Sequence, residues 1–389
     1  MQNVEEIKRI MNKKPVKVGI VGCGSISTIY FENLTKRFQI VEIKSCTSKS
    51  GVSAQKKAEQ YGVAYNTFEE MLADPEIEII VNLTPALQHE SIIRAALEAG
   101  KHVYTEKVIT PETKSAKELI ELAESKGLYL CSAPEHFMGS SWQAARELID
   151  KGMIGEVTSV YATMTHNIGS FADMFQFINE PAGGAGFDFG IYLLTAMTSL
   201  LGPVKNVCGM LRTLQPERTH KMTFHPQLGE KYIYKNEDML MGCLEFASGA
   251  LGTIHMNGNS IMPLSPTFMV YGTEGAISLP NPGTFSGDVK LYRNGSPEPI
   301  DWTSSFGFPH DSRGVGIAEM AWAIRMGRPA RTNARLELHC LEILNGLKES
   351  SESGTYYTLK TTCERPNALP SGHLNMMPIT FDEEGAIIY

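Results

Sequence analysis

The sequence predicts an α/β Rossmann domain joined to an α+β domain with a large, open, mainly antiparallel sheet. Three observations predict it. Short apolar runs alternate with helical stretches from residue 16 to about 134. The first run opens onto a glycine turn, Gly22-Cys23-Gly24-Ser25-Ile26-Ser27. Beyond about residue 150, strand-like runs follow one another with only turn residues between them. Strand–helix alternation builds a parallel sheet with helices on both faces. Consecutive strands build an antiparallel one.

The elements follow in order. Residues 16–22 (VKVGIVG) form a β-branched apolar run, the pattern of a buried parallel strand. Helical spacing follows through Ile26, Tyr30 and Leu34. Residues 40–46 give a second strand, and 53–61 a polar helix stopped by Gly62. Thr67 and Glu70 form a capping box ahead of a short helix. Strands at 77–83, 102–105 and 128–132 alternate with helices at 89–99 and 111–126, the latter with Thr110 as N-cap and Pro111 in its first turn. Later strands are expected at 157–165, 204–211, 239–246, 250–256, 267–271, 276–279 and 289–292, and late helices at 315–326 and 336–350. These divide the chain into an N-terminal extension (1–15), a Rossmann domain (16–134) and a second domain (135–389).

Bulk properties exclude several classes. With 35 Lys+Arg against 43 Asp+Glu, the net charge of −8 argues against nucleic-acid binding, which needs clustered cations. The seven cysteines are scattered with no C-x-x-C pair, so a disulfide framework is not expected. The first residues are charged, and no apolar run reaches the ~20 residues needed to span a bilayer. A cytoplasmic location without membrane partners is the expectation.

The glycine turn follows a strand and opens a helix, the context that gives G-x-G-x-x-G its meaning. Gly22 permits the tight turn, and Gly24 lets a pyrophosphate approach the backbone. Ser25 and Ile26 lead into a helix N-terminus that offers N–H donors. Ser27 replaces the third glycine. The second strand ends in Cys46-Thr47-Ser48-Lys49, with no acid to read the ribose hydroxyls. Ser48 and Lys49 suit a 2′-phosphate, so NAD or NADP is expected with a lean toward NADP. No histidines pair at i, i+4 beside carboxylates, so no metal is expected.

Several motifs then coincide. They are VGIVGCGSIS, VNLTPALQHESIIRAALEAGKHVYTEKV, ARELIDKGMIGEV, GGAGFDFGIYLL, YGTEGAISL and RGVGIAEMAWAI. In this order the chain resembles the Gfo/Idh/MocA oxidoreductases from residue 16 to about 359. The resemblance implies that Thr84, Pro85 and His89 face the nucleotide. It also implies that Glu106-Lys107 stands for the family's Glu-Lys-Pro, with Val108 in place of the proline and Lys107 beside the nicotinamide. The family's Gly-Gly-x-x-x-Asp-x-Gly-x-His is matched from Gly183 to Tyr192, with tyrosine at the last position. Asp188 and Tyr192, four apart, share one helix face. The resemblance makes Tyr192 the leading acid/base and Asp188 the group that orients substrate and tunes Lys107. Burial is expected to lower the lysine pKa, and the ammonium to bring the phenol into range. The glycines are expected to let this helix approach the cofactor domain.

Glu135 and His136 lie at the expected hinge, where the family's form differs. With His166, Asn167 and His310 they are candidate contacts to sugar hydroxyls. The implied activity is NAD(P)-dependent oxidation of a secondary hydroxyl of a sugar, glycoside or cyclitol, or reduction of the ketone. One alternative is a redox-neutral sugar enzyme with a tightly held cofactor, acting by glycoside 3-oxidation and elimination or by sugar–sugar oxidoreduction. Another is a non-enzymatic nucleotide sensor. Relatives often pair their open sheets, so a homo-oligomer, dimer or tetramer, is expected.

Overall fold

The computed structural model describes residues 14–260 and 267–369 and the strand pair Thr380–Phe381 and Ile387–Ile388. The expected N-terminal extension lies outside the described residues except for its last two positions. The first sheet has six parallel strands in the order β3-β2-β1-β4-β5-β6. They are β1 (Val16–Val21), β2 (Val41–Thr47), β3 (Ala64–Tyr65), β4 (Ile79–Asn82), β5 (His102–Thr105) and β6 (Leu130–Ser132). Strand order reverses between β1 and β4, and ligands of open α/β sheets bind at the carboxyl ends of such a switch. Register places Val21, Asn82 and Thr105 side by side. The residues that follow each of them, Gly22, Leu83-Thr84 and Glu106-Lys107, therefore emerge at one edge.

Helices α1 (Ser27–Lys36), α2 (Val52–Tyr61), α3 (Phe68–Ala73), α4 (His89–Glu98) and α5 (Thr113–Ser125) connect these strands. The Thr67/Glu70 capping box forms as expected. The expected cap at Thr110 does not. The helix starts later, with Glu112 at its N-cap, and the Thr110 hydroxyl donates to the Glu112 carbonyl at 2.7 Å.

The second sheet has nine strands in the order β16-β15-β14-β13-β7-β12-β11-β8-β17. These are β7 (Val157–Thr165), β8 (Val204–Arg212), β11 (Met239–Phe246), β12 (Leu251–Asn257), β13 (Thr267–Gly272), β14 (Gly275–Leu279), β15 (Lys290–Arg293), β16 (Ile300–Asp301) and β17 (Tyr357–Thr358). It is mostly antiparallel, but β7 and β12 run parallel. Strands β9 (Glu217–Thr219) and β10 (Lys231–Ile233) form a separate hairpin that no periodicity announced. Burial alternates along β11 and β12, so one face is covered and the other open. Helices α6 (Ser140–Asp150), α7 (Ile168–Met174) and α8 (Ile191–Leu201) precede most of these strands. Trp142 of α6 is fully buried, edge-on to Phe268, and its indole donates to the Thr284 carbonyl at 2.8 Å. No helix among the described residues is long and apolar enough to cross a membrane.

The last two helices return to the first sheet. Helix α9 (Val315–Met326) packs against β2, β5 and β6, and its Arg325 grips Glu78 with two bonds of 2.6 and 2.7 Å. Helix α10 (Ala334–Ser353) lies against α5, α8, β6 and β8. Its His339 is fully buried. Nε2 accepts the Val204 amide at 2.9 Å, and Nδ1 meets the Thr361 hydroxyl at 2.9 Å. Burial holds this imidazole down at about 4. The unfolded chain, with a histidine near 6.5, binds the proton first on acidification. Stability present above about pH 6.5 is therefore lost as pH falls toward 4, by roughly 3 kcal/mol. His339→Gln keeps an acceptor without a titrating group. Urea denaturation at pH 7 and pH 4.5 should show a smaller acid loss for this variant than for the parent, and equal losses would contradict the account.

Candidate active site

The glycine turn has the form a dinucleotide requires. Gly22 adopts φ +102°, and a Cβ there would meet the Leu83 backbone at 2.7 Å, so only glycine fits. A Cβ on Gly24 would meet nothing within 4 Å, leaving open space above the backbone. Helix α1 begins there with no side-chain cap and no acid in its first turn, so the positive end of its dipole is unopposed, while the Ser27 and Thr28 amides turn back to the Gly24 and Ser25 carbonyls at 3.1 and 3.4 Å. Ser25 and Ile26 are exposed on the same turn. Buried Ser27, in the third-glycine position, donates to the Gly24 carbonyl at 2.6 Å and so needs no other partner.

The ribose-side pair divides. The Ser48 hydroxyl accepts the Ala54 amide at 3.2 Å and the Ser53 hydroxyl at 2.9 Å, so it serves the start of α2. Lys49 is exposed.

Beyond β4, Asn82 accepts the Thr84 amide and hydroxyl at 3.3 and 2.7 Å and donates to Thr105 at 3.2 Å. Sequence reading did not single Asn82 out; its signal is a buried amide at the end of an apolar strand. Thr84 is half-buried and Pro85 exposed on this rim. Both ring nitrogens of His89 are engaged within the protein. It is fully buried, with Nδ1 2.6 Å from the Val108 carbonyl and Nε2 2.7 Å from the Thr84 carbonyl. It joins the turn after β4 to the Lys107 loop. Burial lowers its pKa against the pull of the two carbonyls. Glu106 accepts the Tyr30 hydroxyl of α1 at 2.7 Å, a second partner that the sequence did not reveal. The Lys107–Val108 peptide is cis, as is Ala133–Pro134.

Lys107 meets the second domain directly. Its Nζ donates to the Asp188 carbonyl at 2.9 Å, pairs with the Asp188 carboxylate, and stands 5.3 Å from the centre of the Tyr192 ring. Asp188 lies in a π-helical turn, Gly186–Gly190, that runs into α8, where Tyr192 sits. Such turns recur at functional sites. The electrostatics differ from expectation. Burial disfavours the Lys107 ammonium, but Asp188 and Tyr192 outweigh it and the net shift is upward. Burial also raises the Tyr192 phenol, and Lys107 only partly opposes that. The resting pair is therefore an ammonium and a neutral phenol, both proton donors.

The glycines before Asp188 serve a different contact from the expected one. A Cβ on Gly183 would meet the Phe177 carbonyl at 2.4 Å, and one on Gly184 the Glu237 carboxylate at 2.1 Å. Glu237 accepts the Gly186 amide at 3.0 Å. They let the turn close onto Glu237 of its own domain rather than onto the cofactor domain.

The hinge candidates are also reassigned. Glu135 is buried. Its carboxylate accepts the Gly314 and Gly316 amides at 2.6 and 2.8 Å and the Tyr104 hydroxyl, so it anchors the start of α9. Burial raises it to about 7. His136 is buried edge-on to Tyr192, with ring centres 4.9 Å apart and both nitrogens unpartnered. Burial, then Arg313 and Lys107, holds its pKa well below the usual value, so it is neutral. His166 stacks on Phe189 at 3.9 Å, beside Asp188 in sequence, with Nε2 buried and unpartnered. Asn167 caps α7 through the Ser170 amide at 3.2 Å. His310 is exposed.

One metal-ligand grouping occurs among the described residues: Asp173, His220 and His225, whose ligand atoms lie within 4.8 Å. Spacing could not show it, because Asp173 and His220 are 47 residues apart. Asp173 is already engaged by His220 at 2.6 Å and by the Lys221 and Met222 amides at 2.7 and 2.9 Å. The His220 ring is stacked between His225 and Tyr232, 3.8 and 4.4 Å away. These contacts fasten the β9–β10 hairpin to α7.

A parallel sheet with an open phosphate cradle at its switch point and a lysine–carboxylate–phenol cluster beside it defines a dinucleotide-dependent oxidoreductase. Known proteins agree. Residues 16–133 match the oxidoreductase family with an NAD-binding Rossmann fold, and residues 142–278 match the GFO/IDH/MocA C-terminal domain. The chain belongs to the Gfo/Idh/MocA oxidoreductase family. An uncharacterised oxidoreductase of Rhizobium meliloti is 25% identical over 354 residues, 88% of this chain and 99% of that protein. The D-glucoside 3-dehydrogenase of Escherichia coli is 29% identical over 256 residues, 63% of this chain and 71% of that protein. The crystal structure of a levoglucosan dehydrogenase, in complex with NADH and L-sorbose, has a TM-score of 0.77 at 20% identity, covering 89% and 99% of the two chains. At that identity it speaks for the fold alone.

Proposed function

We propose that the protein is an NAD(P)-dependent dehydrogenase that interconverts a secondary hydroxyl of a sugar, glycoside or cyclitol and the corresponding ketone. The observation that carries this is the Lys107–Asp188–Tyr192 cluster at the carboxyl edge of the first sheet. The relative named for D-glucoside points to the substrate class. The nicotinamide, when bound, supplies the hydride acceptor or donor.

The chain's own residues handle the oxygen. In the reducing direction the Lys107 ammonium stabilises the developing alkoxide, and Tyr192 gives it a proton. Asp188 holds the lysine charged and aimed. In the oxidising direction the phenol must first lose its proton and then takes that of the substrate hydroxyl. Because the resting phenol is protonated, oxidation is expected to gain rate as pH rises through the alkaline range. Exposed Lys49 supports a lean toward NADP.

Mass spectrometry of cofactor released from purified protein, then a panel of sugars, glycosides and cyclitols followed at the nicotinamide absorbance, tests the reading. Accumulation of reduced cofactor with at least one member is expected. Oxidised and reduced sugars formed without any such accumulation would favour the redox-neutral alternative. Inertness toward the whole panel with cofactor bound would overturn the assignment.

A further inference from the structure

Two of the seven cysteines stand apart from the rest. Cys23, Cys46, Cys131, Cys340 and Cys363 are buried, whereas Cys243 is exposed and Cys208 partly so. These two are distant in sequence, on β11 and β8, yet the antiparallel register sets them directly opposite each other. Their direction is fixed by their neighbours. Gly209 and Gly242 also face each other, and a Cβ on either would meet the Leu347 side chain of α10, at 2.8 and 2.6 Å. That pair therefore points to the covered face of the sheet. Successive residues of a strand point to opposite faces, so Cys208 and Cys243 share the open one. Met210 and Met241, the next opposed pair on that face, are 69% and 51% exposed.

Opposed residues of an antiparallel pair have Cα atoms about 4.5–5.5 Å apart. A disulfide spans about 4.4–6.8 Å between Cα atoms, so the two thiols are within bonding reach in the existing register. The place of such a bond matters. The chain leaves the sheet from β8 to build the β9–β10 hairpin and returns to it at β11. Asp238 closes that excursion: its amide donates to the Arg212 carbonyl at 3.0 Å, and its carboxylate accepts the Leu214 and Gln215 amides at 2.8 and 2.9 Å. A bond between Cys208 and Cys243 would close the same loop covalently. Burial, then Cys208 itself, holds the Cys243 thiol above its ordinary value. It is therefore a slow nucleophile at neutral pH and needs an oxidant in excess.

We propose that Cys208 and Cys243 form a reversible redox site, in which a peroxide converts the opposed thiols into a cross-strand disulfide at the root of the β9–β10 hairpin. The thiolate of Cys243, the more exposed of the two, attacks one peroxide oxygen. The O–O bond breaks, and the other oxygen leaves as hydroxide and takes up a proton to become water. Cys243 is left as a sulfenic acid. The Cys208 thiolate then attacks that sulfur, the S–S bond forms, and the sulfenic oxygen leaves as a second water. Two thiols and one peroxide thus give one disulfide and two waters. The sulfurs lose two electrons and the peroxide oxygens gain them. A resolving thiol directly opposite captures the sulfenic acid before more peroxide carries it to the irreversible sulfinic state. A dithiol reductant restores both thiols.

The test uses the whole protein as purified, treated with excess hydrogen peroxide, alkylated while still folded, and then digested without reductant. Mass spectrometry should find a peptide pair joined through Cys208 and Cys243, and dithiothreitol added before alkylation should return both as free thiols. Cys208→Ser removes the resolving thiol, so Cys243 should then accumulate sulfinic acid. Absence of the linked pair overturns the proposal, whether the thiols fail to react or a second copy covers this face and shields them. So does a bond between Cys243 residues of two chains, or sulfinic acid on Cys243 of the parent. An unmodified Cys243 in Cys208→Ser overturns its role as the attacking thiol. If that variant fails to fold, the parent's peptide map still decides whether the site exists. None of these outcomes depends on the dehydrogenase reading.

Discussion

Lys107→Met is expected to lower turnover by about 10²–10⁴-fold, the range for removing a positioned proton donor. Cofactor affinity should change little, because the pyrophosphate cradle at Gly22–Ser27 is built from backbone and lies on another turn. The variant also strands Asp188, whose carboxylate is only 8% exposed and loses its counter-ion. A buried carboxylate without a partner is costly, so some loss of stability should accompany the loss of rate. Lys107→Met/Asp188→Asn removes both charges and should recover stability while leaving turnover low. Fluorescence titration with NADH and NADPH, single-turnover kinetics and thermal melts separate the three effects. Turnover within threefold of the parent would remove Lys107 from the reaction.

Gly184→Ala should be the most damaging of the conservative changes. The added methyl would sit 2.1 Å from a Glu237 carboxylate oxygen, far inside contact distance. Glu237 cannot simply swing away, because it accepts the Gly186 amide that opens the π-helical turn. Either the turn or the carboxylate must shift, at a cost of about 1–3 kcal/mol by analogy with overpacked cores. Asp188 and Tyr192 ride on that turn, so activity should fall further than stability explains. Gly24→Ala offers the contrast. Its methyl meets no protein atom within 4 Å, so it should be stable yet bind dinucleotide poorly. Equal thermal stability of Gly184→Ala and the parent would refute the steric argument.

These two glycines also show what the sequence carried and what it withheld. Gly22 and Gly24 were legible because a strand, a turn and a helix follow one another within a dozen residues, and local order dictates their use. The motif at Gly183-Gly184 was equally visible, but its reason was not, since Glu237 lies more than fifty residues away. Lys107, Asp188 and Tyr192 were found through resemblance rather than spacing, and the structure brings them together across two domains. Their electrostatics could not be read. Whether burial or a neighbouring charge prevails depends on distances that sequence does not encode, and at Lys107 and Tyr192 the balance fell opposite to the simple expectation. The polar residues expected at the hinge misled for a related reason. Glu135, and likewise His89 outside the hinge, look like ligands of something and instead serve buried backbone, while His136 lies buried against Tyr192 with both ring nitrogens unpartnered. Asn33 reaches the Asp311 and Arg313 carbonyls, groups nearly 280 residues away, and no local pattern marks those bonds.

The return of α9 to the first sheet has a consequence for how the chain is made. The strands it covers, β2, β5 and β6, are complete by Ser132, whereas α9 ends at Met326. A ribosome adding about 5–20 residues each second takes on the order of 10–40 s to cover that stretch. For that interval the nascent sheet presents an uncovered apolar face beside an otherwise finished nucleotide fold. The first half of this enzyme is thus an early-built unit that waits, exposed to chaperones and to its own neighbours on the polysome, for a helix encoded near the end of the message.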